Sequence, residues 1–271
     1  MGACFSCVER DIEVDIPNRL NSAFKKLYKG DVSSSEQFAR LGLEALQNKQ
    51  FEYAVEASIG LYLSRQYDDK ETALNFLRNS YADLRKENLI KCYIAIAKGD
   101  NDTAVFKEIL GYEFVNDIAT TDIENSAPGA GSFTNDLAIA ISYFHNKQFD
   151  DALSFCERIL ERDDIYKYRS IQINLLKAQI LFEKSDYTET NLTLEEMPSK
   201  FHNYPEIQIL KSKIAFYLGD VDEALSVSTS LSQKYPNSVI INDLHKTFSS
   251  EDLGVNEAKE LGSFSITESE I

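Results

Sequence analysis

One pattern recurs along most of this 271-residue chain and constrains its fold more than any other feature. In each copy, a stretch with helical spacing of apolar residues ends in a short polar turn, and an aromatic or aliphatic residue follows. Two spacers later, a small residue lies near the start of a second helix. The clearest copies run from Gly42 to Ala54, from Ala140 to Ala152 and from Ser212 to Ala224, with Phe51, Phe149 and Val221 directly after the turn.

Two weaker copies extend the pattern. One ends at Ala104, and the other keeps Ala178 and Tyr187 but has Thr190 where alanine is expected. A small side chain at the closest approach of two helices lets their backbones come together, while the aromatic residue fills the space beside it. The pattern therefore predicts antiparallel helices that pack closely within each pair.

The copies resemble the tetratricopeptide repeat (TPR), a family in which helix pairs stack into a solenoid. The likeness is degenerate, because the chain has no tryptophan and because the first three intervals between copies exceed the usual period of about 34 residues. The low content of glycine (11) and proline (5) also favours long helices over many short strands. The resemblance implies an all-α fold of antiparallel helix pairs stacked as a degenerate TPR-like α-solenoid, and a binding scaffold rather than an enzyme.

Two inserts are expected to interrupt the repeats. The first, around Ala73 to Leu84, has helical period. The second, at 112–134, contains the turn residues SAPGAGS and has no clear period, which predicts a loop. The expected organisation is a lipidated segment (1–16), a short basic amphipathic helix and connector (17–35), about five TPR-like repeats with a final capping helix (36–249), and an acidic flexible tail (250–271).

The first seven residues, MGACFSC, match the pattern for N-myristoylation, in which Gly2 becomes the acylated N-terminus and a hydroxyl residue stands at Ser6. Cys4 and Cys7 lie beside it and are predicted to carry palmitate. One myristoyl chain holds a protein to a membrane only marginally, whereas two acyl chains hold it stably. A zinc or redox site at the same cysteines would need further ligands or a strand-to-helix context, and the sequence offers neither.

Directly downstream, the segment from Pro17 to Gly30 contains no acidic residue and has helical period. Leu20, Phe24 and Leu27 fall on one face of this helix. Two interpretations remain open: the apolar face packs on the first repeat, or the helix lies against anionic lipid headgroups and reinforces the acyl anchor. The second interpretation predicts membrane contact by the basic residues Arg19, Lys25, Lys26 and Lys29.

Three phenylalanines take equivalent positions in the first helices of successive repeats. We predict that they lie on the concave face of the stack, where an apolar ladder suits a partner helix or an extended peptide. The alternative is a continuous core between repeats, since apolar residues at regular spacing are most often buried. The predicted partner-binding residues are Phe144, Phe182 and Phe216, together with Ile141 and Tyr217.

Charge and composition exclude several classes of function. Because 44 acidic residues outnumber 28 basic ones, binding to the phosphate backbone of nucleic acid is not expected. Three scattered histidines and a GAGS segment without a following lysine form no metal or phosphate site. The isolated Cys92 and Cys156 are interpreted as small core residues. No enzyme activity, cofactor, metal or small-molecule substrate is therefore predicted.

These observations lead to one preferred hypothesis and one alternative. The preferred function is a non-enzymatic, lipid-anchored adaptor or scaffold that recruits or organises partner proteins in trafficking or signalling. The sequence has no apolar run long enough to span a membrane and no secretory signal, so the acyl chains would hold it at the cytosolic face of the plasma membrane, the vacuole or lysosome, or the Golgi. The alternative is a constitutive helical-repeat subunit of a larger complex, such as a vesicle coat or tether.

Overall fold

The structure, a computed structural model, describes residues 15–31, 34–79, 87–98, 104–119, 132–162 and 165–250. Within these ranges the chain forms thirteen α-helices and a short 3-10 turn, and contains no strand. The helices are α1 (Asp15–Leu27), α2 (Ser34–Gln47), α3 (Phe51–Arg65), α4 (Lys70–Asn79), α5 (Asn88–Lys98), α6 (Ala104–Ala119), α7 (Phe133–His145), α8 (Phe149–Leu160), α9 (Lys167–Glu183), α10 (Tyr187–Glu196), α11 (Pro205–Tyr217), α12 (Val221–Lys234) and α13 (Val239–Ser249).

Four helix pairs are joined by the same turn, namely α2 with α3, α7 with α8, α9 with α10, and α11 with α12. At each turn, one residue adopts a positive φ and the next amide donates a hydrogen bond to the carbonyl five positions earlier, at N–O distances between 2.8 and 3.0 Å. This arrangement satisfies the last carbonyls of the first helix and reverses the chain. The residues with positive φ are Lys49 (59°), Lys147 (61°), Ser185 (62°) and Gly219 (87°).

The small residues of the repeat pattern lie on the buried face of the second helix of each pair. Ala54, Ala152, Thr190 and Ala224 are all fully buried. The structure therefore confirms an all-α, TPR-like fold of stacked antiparallel helix pairs. The copy at Ala104 differs, because this alanine is exposed at the start of α6.

The loop predicted at 112–134 is partly wrong. Helix α6 continues to Ala119, and Phe133 already begins α7. The physical reason is that residues 112–119 contain neither glycine nor proline to interrupt the helix that precedes them, and the turn residues come only later. Residues 120–131 lie outside the described ranges. The helical insert predicted around 73–84 corresponds to α4, which is described as far as Asn79.

Helix α1 is part of the hydrophobic core. Its apolar face, with Leu20 and Phe24 fully buried, packs against α2, α3 and α9. The ring of Phe24 lies parallel to that of Tyr168 at a centroid distance of 4.5 Å and meets the edge of Phe38 at 4.8 Å. The sequence left two interpretations of this apolar face open, and in the structure the face packs inside the protein.

The two ends of the stack touch each other. The Tyr28 ring, which follows α1, packs edge-on against Tyr204 at 5.0 Å. Tyr67, which follows α3, lies 5.8 Å from Tyr235 at the end of α12. Because these partners are far apart in sequence, the stack curves back on itself and its inner face becomes enclosed.

A buried ion pair joins the two halves of the chain inside this curved stack. The Arg169 guanidinium of α9 is only 3% exposed and pairs with Glu56 of α3, while a second contact reaches Glu52 at 3.0 Å. The Tyr168 hydroxyl also donates a hydrogen bond to Glu56. On its other side, the guanidinium stacks over the Phe133 ring of α7 at 4.4 Å. One side chain thus joins three helices from both halves of the chain.

Replacing Arg169 with leucine is expected to destabilise the fold strongly. The change leaves the Glu56 carboxylate buried without its cation, which costs about 3–5 kcal/mol. Arg40→Leu is a matched control, because Arg40 is exposed and its nearest acid, Glu36, is 4.0 Å away; its cost should stay within about 0.5 kcal/mol. Urea unfolding followed by circular dichroism measures both, and equal losses would contradict the role given to Arg169.

Substitution by alanine is expected to have opposite effects on stability at two glycines of the first repeat. A Cβ added at Gly60 would overlap the Phe38 ring, whereas one at Gly42 would lie 3.5 Å from the Ala57 Cβ, an ordinary contact. Gly60→Ala should therefore cost about 1–3 kcal/mol of unfolding free energy through overpacking. Gly42→Ala should add up to about 1 kcal/mol through its higher helix propensity. Thermal and urea unfolding of both variants test the close approach of α2 and α3.

Candidate binding cavity

The curved stack leaves a cavity of about 370 Å³ on its inner side, which is partly open to solvent. Side chains from α3, α5, α7, α9 and α11 line it, and the residues that follow α1 and begin α13 complete the wall. A volume of this size falls in the range of pockets that take small molecules or single side chains. Because the wall combines aromatic rings with a few polar groups, the cavity is the candidate functional site.

The structure brings together only part of the predicted partner-binding set. Ile141, Phe144 and Phe182 line the cavity, and the two phenylalanines are half-buried. Phe216 instead stacks on Phe248 of α13 at 4.7 Å. The reason is that α13 packs on the last helix pair and covers the ring that an interior repeat would present.

Tyr217 lies outside the cavity wall and is 41% exposed. Its ring stacks on Tyr187 at 5.5 Å and meets Phe182 edge-on at 5.6 Å. It therefore extends the aromatic surface outward from Phe182 along α9 and α11. Contact of any of these residues with a partner remains a prediction.

Five tyrosines that line the cavity were not predicted from the sequence. They come from different elements, so no local pattern links them, and the only available signal is a composition with 14 tyrosines and no tryptophan. Two of the rings, Tyr62 and Tyr93, pack edge-on at 5.8 Å. The five residues are Tyr28, Tyr62, Tyr67, Tyr93 and Tyr204.

A carboxyl group, that of Glu206, lies among these tyrosines. Its Oε1 accepts hydrogen bonds from Gln66 Nε2 at 2.5 Å and from the Tyr204 hydroxyl at 2.9 Å. Although the residue as a whole is only half-buried, its Oε2 is shielded from solvent and accepts no hydrogen bond of ordinary length from the described residues, while the Tyr67 hydroxyl lies close enough to stabilise the carboxylate. The hydroxyl of the fully buried Tyr28 also lacks a partner there.

Burial raises the pKa of Glu206 to about 7, because it opposes ionisation more strongly than the backbone amide and the Tyr204, Tyr67 and Gln66 side chains favour it. Burial also raises the pKa of Tyr62 to about 12 and that of Tyr28 well above its ordinary value. Near neutral pH, the phenols are therefore uncharged, while Glu206 is close to its midpoint of ionisation.

Other charged groups at the cavity lie toward its edge. Glu183 is exposed at the end of α9. Lys213 stands two helical turns beyond Glu206 on α11, with its ammonium 5.8 Å from the Phe182 centroid. The deep part of the cavity thus presents one carboxyl group surrounded by aromatic rings.

Neither a metal cluster nor an activated cysteine occurs among the described residues. No group of three or more histidine, cysteine or acidic side chains among them is arranged to hold a metal. Cys92 and Cys156 are buried, and burial raises the pKa of each thiol to about 12, so neither is activated as a nucleophile. Both act as small core residues, in agreement with the sequence.

The predicted membrane-contact residues lie on the surface beside α1. Lys25, Lys26 and Lys29 are exposed, whereas Arg19 pairs with Glu44 at 2.8 Å and with Asp15 at 3.3 Å. The described chain contains no helix long and apolar enough to cross a membrane. The predicted lipidation sites Gly2, Cys4 and Cys7 lie outside the described residues.

Comparison with known proteins adds little to this geometry. No family model matches the sequence, and no curated protein matches it. Among solved structures, a tetratricopeptide repeat protein from Parabacteroides merdae is similar over 87% of this chain and 99% of its own, with 12% sequence identity and a TM-score of 0.45. At that level of similarity the fold assignment rests on the helix packing described above.

The pKa of Glu206 predicts a pH-dependent stability. The Glu206 carboxyl keeps its proton up to about pH 7 in the folded state but only up to about pH 4.5 in the unfolded state. Its contribution to the free energy of unfolding is therefore fully present below pH 4.5 and is lost as the pH rises through 7. Glu206→Gln removes the ionisation. Its unfolding free energy relative to wild type should therefore increase between pH 5 and 8, by at most about 1.4 kcal/mol per pH unit.

Urea unfolding at several pH values measures this difference. Glu183→Gln removes a carboxyl group from the exposed edge of the same cavity and serves as the control. A pH-dependent gain shared equally by both variants would contradict the assignment to Glu206.

Proposed function

We propose that this protein is a membrane-anchored adaptor that recruits or organises partner proteins at the cytosolic face of a membrane, in trafficking or signalling. The observation that carries the proposal is the aromatic cavity on the inner face of the stack. It offers a recessed surface in which Phe144 and Phe182 are accessible to a partner segment. A surface made by packed helix pairs is preformed, so little ordering is needed when a partner binds.

The anchoring part of the proposal rests on Gly2, Cys4 and Cys7. Seven residues separate Cys7 from Asp15, where α1 begins, so an acyl chain on Cys7 would attach within about 28 Å of a helix that is packed into the core. The anchor would therefore hold the folded domain close to the lipid surface, with α1 as the nearest described element.

Basic side chains near α1 favour the same orientation. Lys25, Lys26 and Lys29 are exposed on α1 and the turn that follows it. Lys234 extends this basic patch, because its ammonium lies 3.1 Å from the position of a Cβ added at Gly30. Each lysine near an anionic membrane surface contributes about 1 kcal/mol. In a chain of net charge −16, a local basic patch identifies the side that can approach anionic lipid.

Membrane attachment is tested by pelleting the tagged chain from a eukaryotic cell extract. Wild type should pellet with membranes, whereas Gly2→Ala and the double variant Cys4→Ser/Cys7→Ser should become largely soluble, because each retains at most one kind of acyl signal. If all three stay soluble, lipidation is wrong and the alternative of a constitutive complex subunit becomes the leading hypothesis.

Binding of the myristoylated protein to lipid vesicles tests the basic patch in a separate experiment. Lys25→Gln/Lys26→Gln/Lys29→Gln should lower binding to vesicles that contain anionic lipid by at least about tenfold and leave binding to neutral vesicles unchanged. The triple variant Lys98→Gln/Lys107→Gln/Lys167→Gln removes the same charge from exposed positions elsewhere and is the control. Equal effects of both triples would show that net charge matters and the patch does not.

A further inference from the structure

An open groove crosses the first repeat between α2 and α4 and runs over α3, which packs against both of them. Its volume is about 450 Å³, within the range of about 300–1,000 Å³ that is usual for sites of small ligands. Leu43 of α2 and Phe76 of α4 form its sides and are 47% and 41% exposed. Small residues deepen it, because Gly42 and Ala57 meet where α2 crosses α3.

The lining of this α2–α4 groove is apolar. None of the described residues that line it is charged, although charged residues make up 27% of the chain. Its two hydroxyl groups are used locally, since Ser58 donates a hydrogen bond to the Ala54 carbonyl at 2.9 Å and Thr72 donates one to the Asp69 carboxylate at 2.5 Å. A phosphate or peptide group placed there would lose its hydrogen bonds to water without replacing them, whereas a hydrocarbon chain needs none.

The proposed function supplies such a chain on Gly2 of the same molecule. One myristoyl chain holds a protein to a membrane only marginally and reversibly, and palmitate on cysteine can be removed again. A molecule that carries only the Gly2 chain therefore spends part of its time away from the membrane. In water an exposed acyl chain is unfavourable, and an apolar groove on the same molecule lowers that cost.

The chain between Gly2 and α1 is long enough to bring the acyl group to the groove. Twelve residues separate Gly2 from Asp15, so the Gly2 nitrogen can reach at most about 45 Å from the start of α1. That start lies beside the end of α2 that carries Leu43, because Arg19, one turn into α1, pairs with Glu44 at 2.8 Å. The path has to pass around α2, whose diameter is about 10–12 Å, and this is well within reach.

We propose that the α2–α4 groove holds the myristoyl chain of Gly2 of the same molecule whenever the protein is away from the membrane, with Leu43 and Phe76 at its sides. Groove and bilayer then compete for one acyl chain, and entry into the bilayer empties the groove. The inference rests on the lipidation of Gly2 in the proposed function and adds the place of the chain in the unattached state.

Nuclear magnetic resonance of the acylated full chain locates the acyl group. The protein is produced with an N-myristoyltransferase and ¹³C-labelled myristate, and mass spectrometry verifies one chain on Gly2. Nuclear Overhauser contacts should join the acyl chain to the Leu43 methyl groups and the Phe76 ring. A chain that contacts only other residues, or none, would overturn the inference. Sedimentation should give the same mass as for unacylated Gly2→Ala, whereas a dimer formed only on acylation would place the chain on a second copy and contradict the proposal.

Filling the groove should release the chain. Ala39 is exposed and lines the groove, so Ala39→Trp occupies it without entering the core. Binding of the myristoylated variant to neutral vesicles should rise at least about threefold, because sequestration lowers the apparent affinity by the fraction of molecules whose chain is free. Ala104→Trp places the same side chain at another exposed alanine and is the control. An equal rise in both variants, or no rise in either, would overturn the inference.

Removing the apolar sides of the groove gives a second test. Leu43→Gln/Phe76→Gln should also raise vesicle binding of the myristoylated protein, since both side chains would contact the chain in the groove. Leu192→Gln/Leu218→Gln changes two exposed leucines outside the groove, which are 48% and 67% exposed, and should leave binding unchanged. Circular dichroism checks that all variants are folded. If the groove variant binds no better than its control, the chain is not held there.

Mass spectrometry of the protein from a eukaryotic cell distinguishes the two ways in which the inference can fail. If Gly2 is not acylated in the cell, the anchor of the proposed function and the inference fall together. If Gly2 is acylated but the acyl chain makes no contact with Leu43 or Phe76, the inference alone is overturned and the anchor stands.

Discussion

The buried contact between Arg169 and Glu56 joins parts of the chain that neighbour-to-neighbour stacking cannot join. Stacked helix pairs contact mainly their sequence neighbours, so local packing alone leaves the curvature of the stack weakly determined. The guanidinium changes this, because its partners come from α3 and its aromatic platform from α7. Removing either charge leaves the other buried and unpaired, which is far more costly than losing a surface pair. Together with the ring contacts Tyr28–Tyr204 and Tyr67–Tyr235, this site holds the two halves of the stack to each other.

The cavity is a consequence of that closure. Once the ends of the stack meet, the inner faces of α3, α5, α7, α9 and α11 enclose a space that the side chains fill incompletely. A chain selected only for stability would line such a space with satisfied or apolar groups. Here it holds Glu206, whose pKa is raised to about 7 by burial, and an unpartnered Tyr28 hydroxyl. Groups with perturbed pKa values concentrate at functional sites, so the cavity is a stronger candidate for the functional site than the exposed surface.

The sequence predicted the features that depend on neighbours along the chain. The turns at Lys49 and Gly219 and the buried Ala54 and Ala224 belong to one local motif, in which turn chemistry and helix spacing are written within about fourteen residues. The place of Phe144 and Phe182 on the inner face was predicted for the same reason, because it follows from their position within the repeat.

Features set by distant contacts could not be predicted in this way. Arg169 and Glu56 are separated by 113 positions, and Gln66 and Glu206 by 140. Phe216 fits the repeat pattern as well as Phe182 does, and only the packing of Phe248 on it decides that it faces the cap. The repeat pattern predicts where a residue lies within its own repeat. Which side chains it contacts depends on where that repeat lies in the stack.

Helix α1 connects the two parts of the proposed function. Its first residue, Asp15, follows the segment that carries the predicted acyl sites, and Tyr28, directly after its last turn, lines the cavity. Between these ends, Phe24 is held between Tyr168 and Phe38, so the helix is fixed to both halves of the stack. The acyl site proposed at Cys7 would therefore lie within about 28 Å of a helix that is fixed in the core and that leads to the cavity.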